Sequence, residues 1–385
     1  MNRLQNQLAR LHIQLFYAWI ALLLIAAPLQ AQNQYHLLQD KPRLEKSEKI
    51  IKTMYNWEFD RAEQLVEELS EGIEGHPVIP FSKAMIKYWK IKPIDFSKPS
   101  YQEHVGLLEK ASALAQERLE KDPDDIEGQF FEMASRSLIM KELADSGKPM
   151  KAVSEAKAVY KLMKSGFGLK DEFVEYYFTT GVYNYYREYY PEKYPVYKPF
   201  AMFFKSGDME KGLNQLVHAA RNATFTKAEA YTYLAYIYLR YEQNSQKAIK
   251  FAAELAKEYP NNLYFGVIYI ETLYLSGDYE RVKKQVPRLI ASSDPYYQAA
   301  GQLFMGLVLE EGGQIGSALY RFKKAEKLVD KMNYRFVELK TYLYLGLANC
   351  YSEREEYDLA KEYYKKAKEY DANKYLKTED KPEFK

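Results

Sequence analysis

The last third of the chain repeats a pair of short amphipathic helices at intervals of roughly 35 to 42 residues, with copies starting near Ala228, Leu263, Ala299 and Thr341. In each copy, small residues recur where two helices must touch, and large apolar residues recur where the pair must fill a gap. One such pair cannot bury its apolar face alone, so it must stack on its neighbours. The repeat therefore predicts an all-α solenoid, an architecture that usually holds other molecules and does no chemistry.

The residues that carry the repeat are Leu234-Ala235, Tyr238, Ala248 and Ala252 in the first copy, Leu273, Gly277-Asp278-Tyr279 and Val282 in the second, Gly306, Gly313, Ala318 and Phe322 in the third, and Leu347-Ala348, Tyr351, Ala360 and Ala367 in the fourth. These spacings resemble the tetratricopeptide repeat (TPR), a helix–turn–helix of about 34 residues, over roughly 228–370. The Trp usual in that family is replaced by Tyr231, Gly266, Gln302 and Tyr344. Pro287 is expected to kink or shorten a second helix. The resemblance implies a right-handed α-solenoid of about seven or eight hairpins.

Helical periodicity continues upstream to about residue 44, and alternating strand patterns are absent. The predicted helices there cover about 44–57, 59–73, 80–92, 100–121, a segment from the N-cap residues Asp124-Asp125 to about Leu143, 149–164, and a segment starting near Asp171 after a break at Gly166 and Gly168. No Gly/Ser-rich or acidic linker divides this stretch. We therefore expect one elongated domain over 44–375, with loose ends at 32–43 and in the charged tail 376–385.

The N-terminus has the pattern of a secretory signal peptide. Arg3 and Arg10 precede an apolar run from Leu15 to Ala27, and cleavage is expected after about Ala31. The run is shorter than the roughly 20 residues of a membrane-spanning helix. The sequence therefore predicts a signal peptide over 1–31 and an exported, periplasmic or secreted protein with no integral membrane span after cleavage. An uncleaved membrane anchor is the alternative.

The charge balance argues against a nucleic-acid partner, and the cysteine content excludes an intrachain disulfide. The chain has 55 Lys+Arg and 53 Asp+Glu, and loss of Arg3 and Arg10 with the leader would leave 53 of each. A neutral chain with interspersed charges has no electrostatic footprint for nucleic acid. The single cysteine, Cys350, cannot form an intrachain disulfide and is expected to be a small core residue.

An aromatic block is the most unusual local feature, with fourteen Phe or Tyr residues from Phe173 to Phe204. Pro191, Pro195 and Pro199 follow at four-residue spacing, so we expect an insertion over 191–206 that is extended over 191–199. The tyrosines could form a platform for a small ligand or glycan, or they could seal the insertion against the solenoid. The candidate cluster is Tyr183, Tyr186, Tyr189, Tyr190, Tyr194 and Tyr197.

The same block, together with the segment 207–213, resembles a pattern in exported TPR proteins of Bacteroidetes-type bacteria to which no function is assigned. That resemblance implies the compartment and the fold and adds no activity.

The TPR resemblance also implies that the first helix of each hairpin lines an inner groove. The residues at its usual groove positions are Thr232, Tyr236, Leu239, Val267, Glu271, Tyr274, Leu303, Leu307, Glu310, Leu345, Asn349 and Ser352. Only Asn349 suits the clamp with which some family members hold a C-terminal carboxylate, and Glu271 and Glu310 would repel one. Tyr, Leu and Val with two acids suit an amphipathic helix or an extended peptide that carries a basic residue. The alternative is that these side chains pack against neighbouring helices.

Chemistry-bearing motifs are missing from the sequence. His36, His76, His104 and His218 are scattered without metal-ligand spacing, and no phosphate loop or calcium loop is present. We therefore expect no cofactor, no metal and no catalysis, and interpret the chain as a scaffold for a protein or peptide partner. Two alternatives remain open. One is a small-ligand or glycan binder on residues 173–204. The other is an envelope enzyme accessory or cryptic hydrolase, which would need a cleft with two convergent titratable groups.

Overall fold

A computed structural model describes residues 35–370 apart from positions 93, 95, 97, 196, 197, 203 and 333–336. The described part contains sixteen long α-helices in eight consecutive hairpins and no β-strand, which agrees with the prediction of seven or eight hairpins. The first helices of the hairpins are α1 (Lys41–Tyr55), α3 (Val78–Lys90), α5 (Ile126–Asp145), α7 (Tyr176–Lys193), α9 (Lys227–Tyr236), α11 (Leu263–Leu275), α13 (Pro295–Glu311) and α15 (Val337–Glu353). The second helices are α2 (Phe59–Ser70), α4 (Pro99–Lys121), α6 (Pro149–Leu169), α8 (Met209–Asn222), α10 (Ser245–Glu258), α12 (Tyr279–Ile290), α14 (Ile315–Val329) and α16 (Tyr357–Tyr370).

Three shorter elements complete the described chain. They are a 3-10 turn at Leu37–Gln39, a short helix at Lys198–Ala201 and a π-helical turn at Ile237–Tyr241 that continues α9. Each long helix packs mainly on the helices next to it along the chain, as expected for stacked hairpins. The predicted signal peptide 1–31 and the charged tail 376–385 lie outside the described residues.

Six hairpins share one turn, in which a residue with positive φ ends the first helix. These residues are Trp57, Gly147, Gln243, Gly277, Gly313 and Glu355. The amide of the next residue then bonds a carbonyl five or six residues back, as from Asp278 N to Leu273 O at 2.9 Å. This is the arrangement that closes a helix with a left-handed residue. Only three of the six positions are glycine, so the other three hold a side chain where one is disfavoured.

Side-chain caps begin many of the helices. Asp125 accepts a hydrogen bond from the amide of Glu127 at 3.1 Å, which confirms the cap predicted at the start of α5. Asn244, Asn262 and Asp278 accept from the amides three residues ahead, at the starts of α10, α11 and α12. Such caps satisfy backbone donors that a helix end leaves open.

Close packing in the C-terminal half centres on Phe322 of α14, which is fully buried. A Cβ atom at Gly306 or Gly346 would lie 2.6 or 2.4 Å from the Phe322 ring. Glycine on α13 and α15 therefore lets three helices meet around one ring. Cys350 is also fully buried here, as predicted, and burial raises the pKa of its thiol to about 12.

The break predicted at Gly166 and Gly168 does not occur there. Both glycines lie inside α6, which ends at Leu169. A Cβ at Gly166 would lie 2.4 Å from the Tyr176 ring, so this glycine serves packing between α6 and α7 and does not end the helix.

Of the two helix prolines, Pro191 does not end its helix, whereas the second helix that contains Pro287 is shorter than its neighbours, as expected. Helix α7 continues through Pro191 to Lys193, and a short helix begins at Lys198, so residues 191–193 and 198–199 are helical and not extended. Pro287 lies in the last turn of α12, which has twelve residues, against fourteen and fifteen in α10 and α14. A proline so near a helix end removes only one backbone hydrogen bond.

The start of the described chain is packed, although residues 32–43 were expected to be loose. Leu37 is buried, and the Glu127 carboxylate accepts hydrogen bonds from the amides of Leu37 and Leu38 at 3.1 and 2.8 Å. The Arg118 guanidinium donates to the Tyr35 carbonyl at 2.9 Å. The buried His76 ring bonds the same Glu127 carboxylate at 2.8 Å. This network fixes the segment before α1 against α4 and α5.

Candidate functional site

The array coils back on itself, so that its beginning contacts its later hairpins. The Tyr55 hydroxyl at the end of α1 donates to the Glu229 carboxylate at the start of α9, and the Asn262 side chain donates to the Tyr55 carbonyl at 3.0 Å. The rings of Trp57 and Tyr297 lie 5.4 Å apart. The first hairpin therefore touches the fifth, sixth and seventh. The expectation that each hairpin stacks on its neighbours is therefore incomplete, because the first hairpin also contacts three distant ones.

Aromatic side chains make most of this contact. Trp89 at the end of α3 meets Phe265 at a ring distance of 5.2 Å, and Tyr55 meets Tyr259 at 5.1 Å. In the loop between α8 and α9, Phe225 lies 5.7 Å from Phe131 of α5. Large aromatic rings can meet across gaps that are too wide for the helix backbones to contact each other. Each ring pair adds to the apolar area removed from water.

The predicted groove residues divide into two sets in the structure. Glu271, Leu303 and Leu307 are buried. The other residues at these positions keep partial solvent contact, namely Thr232, Tyr236, Leu239, Val267, Tyr274, Glu310, Leu345, Asn349 and Ser352. The two leucines are thus packed inside the protein, and Glu271 forms an ion pair with Arg240, so these three residues are not open to a ligand.

Arg240 organises this wall. Its guanidinium pairs with the Glu271 carboxylate of α11 and donates to the Tyr342 hydroxyl of α15 at 2.9 Å. Arg240 lies on the π-helical turn, so the insertion of that turn determines where it points. The acid at position 271 is neutralised inside the protein and is not presented to a ligand.

Glu310 and Asn349 meet on neighbouring first helices. The Asn349 amide donates to a Glu310 carboxylate oxygen at 2.7 Å. Burial raises the pKa of Glu310 to about 7, although the Asn349 hydrogen bond opposes this. Tyr274 also reaches the next hairpin, since its hydroxyl lies 3.4 Å from a carboxylate oxygen of Glu311.

A second inner region lies where the ends of α3 and α5 face the starts of α9 and α11. We call it the inner chamber, and its residues are Tyr88, Lys92, Lys141, Glu142, Asp145, Glu229, Tyr233 and Tyr264. Lys141 and Asp145 form its more exposed edge, with side chains 46% and 49% exposed and their charged atoms 2.5 Å apart. Glu142, with a side chain 1% exposed, lies deeper. None of the eight was among the predicted site residues.

Aromatic rings hold the Lys92 ammonium in this chamber. Its nitrogen lies 3.8 Å from the Tyr264 ring centre, 4.7 Å from that of Trp89 and 4.8 Å from that of Tyr88, and it donates to the Tyr88 hydroxyl at 3.1 Å. Ring faces attract cations electrostatically. Burial nevertheless lowers the pKa of Lys92, because the charged form loses water.

Charges in the chamber are unevenly matched. Burial raises the pKa of Glu229 to about 7 and also raises the pKa of Glu142. Burial lowers the pKa of Lys141, but Tyr88, Glu142 and Asp145 outweigh it and the net shift is upward. Two ammonium groups thus face three carboxyl groups, and the deeper two of those carboxyls are costly to ionise.

The tyrosine cluster is partly packed and partly open. Tyr183 and Tyr186 are half-buried, as is Tyr189, whose ring lies 4.5 Å from that of Tyr241. Tyr190 and Tyr194 are 41% and 43% exposed. The rings of Tyr186, Tyr190 and Tyr194 stack in sequence at 5.4 and 6.3 Å along one face of α7. Tyr197 lies outside the described residues.

Sequence reasoning missed the chamber because its members come from four helices and the loop after α3, which only the coiling brings together. Glu142 and Lys141 look like ordinary surface charges of an amphipathic helix, and Lys92 precedes a proline. Tyr88-Trp89 followed by Lys92 is the one local signal, since two aromatic residues just before a lysine suit a cation–π contact.

Comparisons with known proteins bear on the fold alone. No protein-family model matches the chain, and no curated protein sequence matches it. Among solved structures, the human IFIT1 dimer with PPP-AAAA is similar at 16% identity and a TM-score of 0.41, over 82% of this chain and 69% of that one. Yeast Tom70 is similar at 13% identity and 0.38, over 87% and 80%, and a tetratricopeptide repeat protein from Parabacteroides merdae at 14% and 0.32, over 78% and 99%.

Within the described residues, no helix combines the length and the apolar character that crossing a membrane would require. Eight hairpins stack in chain order, six of them share one turn geometry, and small residues stand where helices cross. On this architecture the protein has a TPR-like helical-repeat fold.

Proposed function

We propose that the chain is an exported, non-catalytic scaffold that holds another protein on the inner face of its later hairpins. A TPR-like fold is typically a protein-binding one and generally does no catalysis. Its stacked hairpins offer a long curved surface on which a partner is recognised by shape and apolar contact.

The single observation that carries this proposal is the state of the groove residues on α9 and α11. Tyr236, Val267 and Tyr274 remain partly exposed on adjacent first helices, while Leu303 and Leu307 on the first helix of the next hairpin are buried. Tyrosines supply apolar area with a hydroxyl that stays hydrated, which suits a surface exposed before its partner arrives. Partly exposed aromatic residues next to a well-packed helix favour a preformed binding face.

Export is part of the proposal and rests on residues 1–31. The basic flank, the short apolar run and the small-residue end favour cleavage after about Ala31. N-terminal sequencing of the mature protein from cell fractions tests this directly. Intact residues 1–31 on a protein recovered with the cytoplasm would refute it.

The binding face can be tested with a photocrosslinking amino acid placed at position 274, compared with position 320. Tyr320 is 55% exposed on the second helix α14, so it is a matched tyrosine on another face. We expect a discrete crosslinked partner from position 274 and none from position 320. In the double variant Tyr236→Ala/Tyr274→Ala the yield of that partner should fall at least about tenfold, as for loss of two aromatic anchors. Equal yields in a folded double variant would remove this face from consideration.

A second candidate is a small ligand or glycan on the tyrosine cluster. The exposure of Tyr190 and Tyr194 favours it. The stacking of Tyr186, Tyr190 and Tyr194 counts against it, because each ring covers part of the next ring's face. Titration with soluble glycans should distinguish the two cases, since only a binding platform would lose affinity in Tyr190→Ala/Tyr194→Ala.

A further inference from the structure

We propose that the inner chamber receives a basic side chain, a lysine or arginine of the protein partner, between Glu142 and Glu229. This inference rests on the proposed scaffold function and names the chemistry by which the partner is recognised. It is carried by the hydrogen bonding of the two carboxylates, by the aromatic wall and by the balance of charge.

Only one carboxylate oxygen of Glu229 accepts a hydrogen bond from a described residue. One carboxylate oxygen accepts from the Tyr55 hydroxyl. The other is buried, and no described residue donates a hydrogen bond to it. A buried carboxylate oxygen without a donor is costly, and a cation that reaches it relieves that cost.

Glu142 of α5 also has carboxylate oxygens without a donor among the described residues. Its side chain is 1% exposed, and neither oxygen receives a hydrogen bond from the described part of the chain. The nearest cation is Lys141, whose nitrogen lies 3.6 Å from Glu142 but 2.5 Å from Asp145. The Lys141 ammonium thus lies closer to Asp145 than to Glu142, and the Glu142 carboxylate can still accept hydrogen bonds from a second cation.

The chamber wall already accommodates one ammonium group. The rings of Tyr88, Trp89 and Tyr264 surround Lys92 at 3.8 to 4.8 Å. Tyr88 and Tyr233 lie within electrostatic range of Glu229 and Lys141. Aromatic faces beside carboxylates are suited to ammonium and guanidinium groups.

Charge balance points to an organic cation as the occupant. Lys92 and Lys141 face Glu142, Asp145 and Glu229, which leaves one negative charge unmatched when all three acids are ionised. Within the described residues there is no group of three or more acidic, histidine or cysteine ligands that could hold a metal ion. Lys141 and Asp145, with side chains 46% and 49% exposed, are where this group of charges borders solvent.

The test is isothermal titration of the full mature chain with the peptide acetyl-Leu-Arg-Leu-Arg-Leu-amide, against the same peptide with citrulline in place of arginine. Citrulline has the same shape and no charge. We expect the arginine peptide to bind at least about tenfold more tightly, since a charge-assisted hydrogen bond supplies that much discrimination. Glu142→Gln and Glu229→Gln should each remove most of this difference.

Both variants keep the shape of the side chain, and the amide oxygen that Glu229→Gln introduces can still accept from the Tyr55 hydroxyl. Glu117→Gln on α4 is the matched control, because Glu117 is exposed on the surface, and it should bind as the unaltered protein does. Thermal melting confirms that each variant is folded.

Equal binding of the two peptides, no binding of the arginine peptide, or unchanged binding by both folded variants would each overturn the inference. These results leave the scaffold proposal standing if position 274 still crosslinks its partner. Loss of the position 274 crosslink together with retained arginine-peptide binding would instead refute the scaffold proposal and keep the chamber as a cation site.

Discussion

The hydroxyl of Tyr55 donates a hydrogen bond to the carboxylate of Glu229 across 174 positions of sequence. The bond joins the end of the first helix to the start of the ninth. It lies beside the aromatic contacts of Trp89 with Tyr264 and Phe265, which join α3 to α11 in the same way. A stack of hairpins is thereby closed into a structure in which the two halves support each other.

Tyr55→Phe tests how much that closure contributes. The ring and its contacts remain, but Glu229 loses its donor, so the free energy of unfolding should fall by about 1–3 kcal/mol. Tyr320→Phe, at an exposed hydroxyl, should change it by less than about 0.5 kcal/mol. Urea denaturation at pH 8 measures both. Equal stability of Tyr55→Phe and the parent would mean that the hydrogen bond adds nothing to closure.

Stability should decline as pH rises from about 4.5 to about 7. Burial raises the pKa of Glu229 and that of Glu310 to about 7 from the ordinary 4.5. In this window the folded state binds more protons than the unfolded state, so deprotonation favours unfolding. Each group should contribute on the order of 1 kcal/mol or more, since one pKa unit corresponds to about 1.4 kcal/mol.

The double variant Glu229→Gln/Glu310→Gln should flatten that slope, as measured by urea denaturation at half-unit pH steps. Glu117→Gln provides the control and should leave the slope as it is. A slope of the same size in the double variant would show that other groups cause it.

Glu355→Gly should stabilise the protein. Glu355 is exposed and has a φ of 61° at the turn between α15 and α16, where Gly277 and Gly313 stand in the two preceding hairpins. A side chain in this conformation costs roughly 1–2 kcal/mol, and glycine removes that cost at some expense in unfolded-chain entropy. A net gain of about 1 kcal/mol is expected from thermal or urea unfolding. Glu355→Ala keeps the Cβ atom and should show no gain.

Gly346→Ala should destabilise the last two hairpins. The new methyl would lie 2.4 Å from the Phe322 ring, and overpacking of this kind costs about 1–3 kcal/mol. Gly316→Ala on α14 meets nothing within 4 Å and should be neutral or stabilising by up to about 1 kcal/mol. Adding Phe322→Leu to Gly346→Ala should recover part of the loss. A fully stable Gly346→Ala would mean that the ring has room to move.

Local signals located most of the helices closely. The predicted segments 59–73, 100–121 and 149–164 begin within one residue of α2, α4 and α6, and Pro99 and Pro149 mark the starts of the last two. The errors occurred where a local rule was outweighed by packing. Gly166 looks like a break but makes room for Tyr176, and Pro191 looks like an end but lies in a turn that loses only one hydrogen bond.

The site was harder to predict than the fold. The repeat pattern placed residues on the first helices, but it could not show that Glu271 pairs with Arg240, which lies on a π-helical turn and also reaches Tyr342, 102 positions away. The chamber residues carry no shared spacing, so no periodicity could have grouped them.

Residue order along the chain was enough to establish the helices, their pairing into hairpins and their stacking, because each depends on contacts between neighbours in sequence. Tertiary structure alone decided how tightly the stack coils, which inner residues remain open to a partner, and which charges meet in the chamber. Those outcomes depend on small angles between hairpins that add up along the array, and on a few large aromatic side chains that meet only after the accumulated rotation.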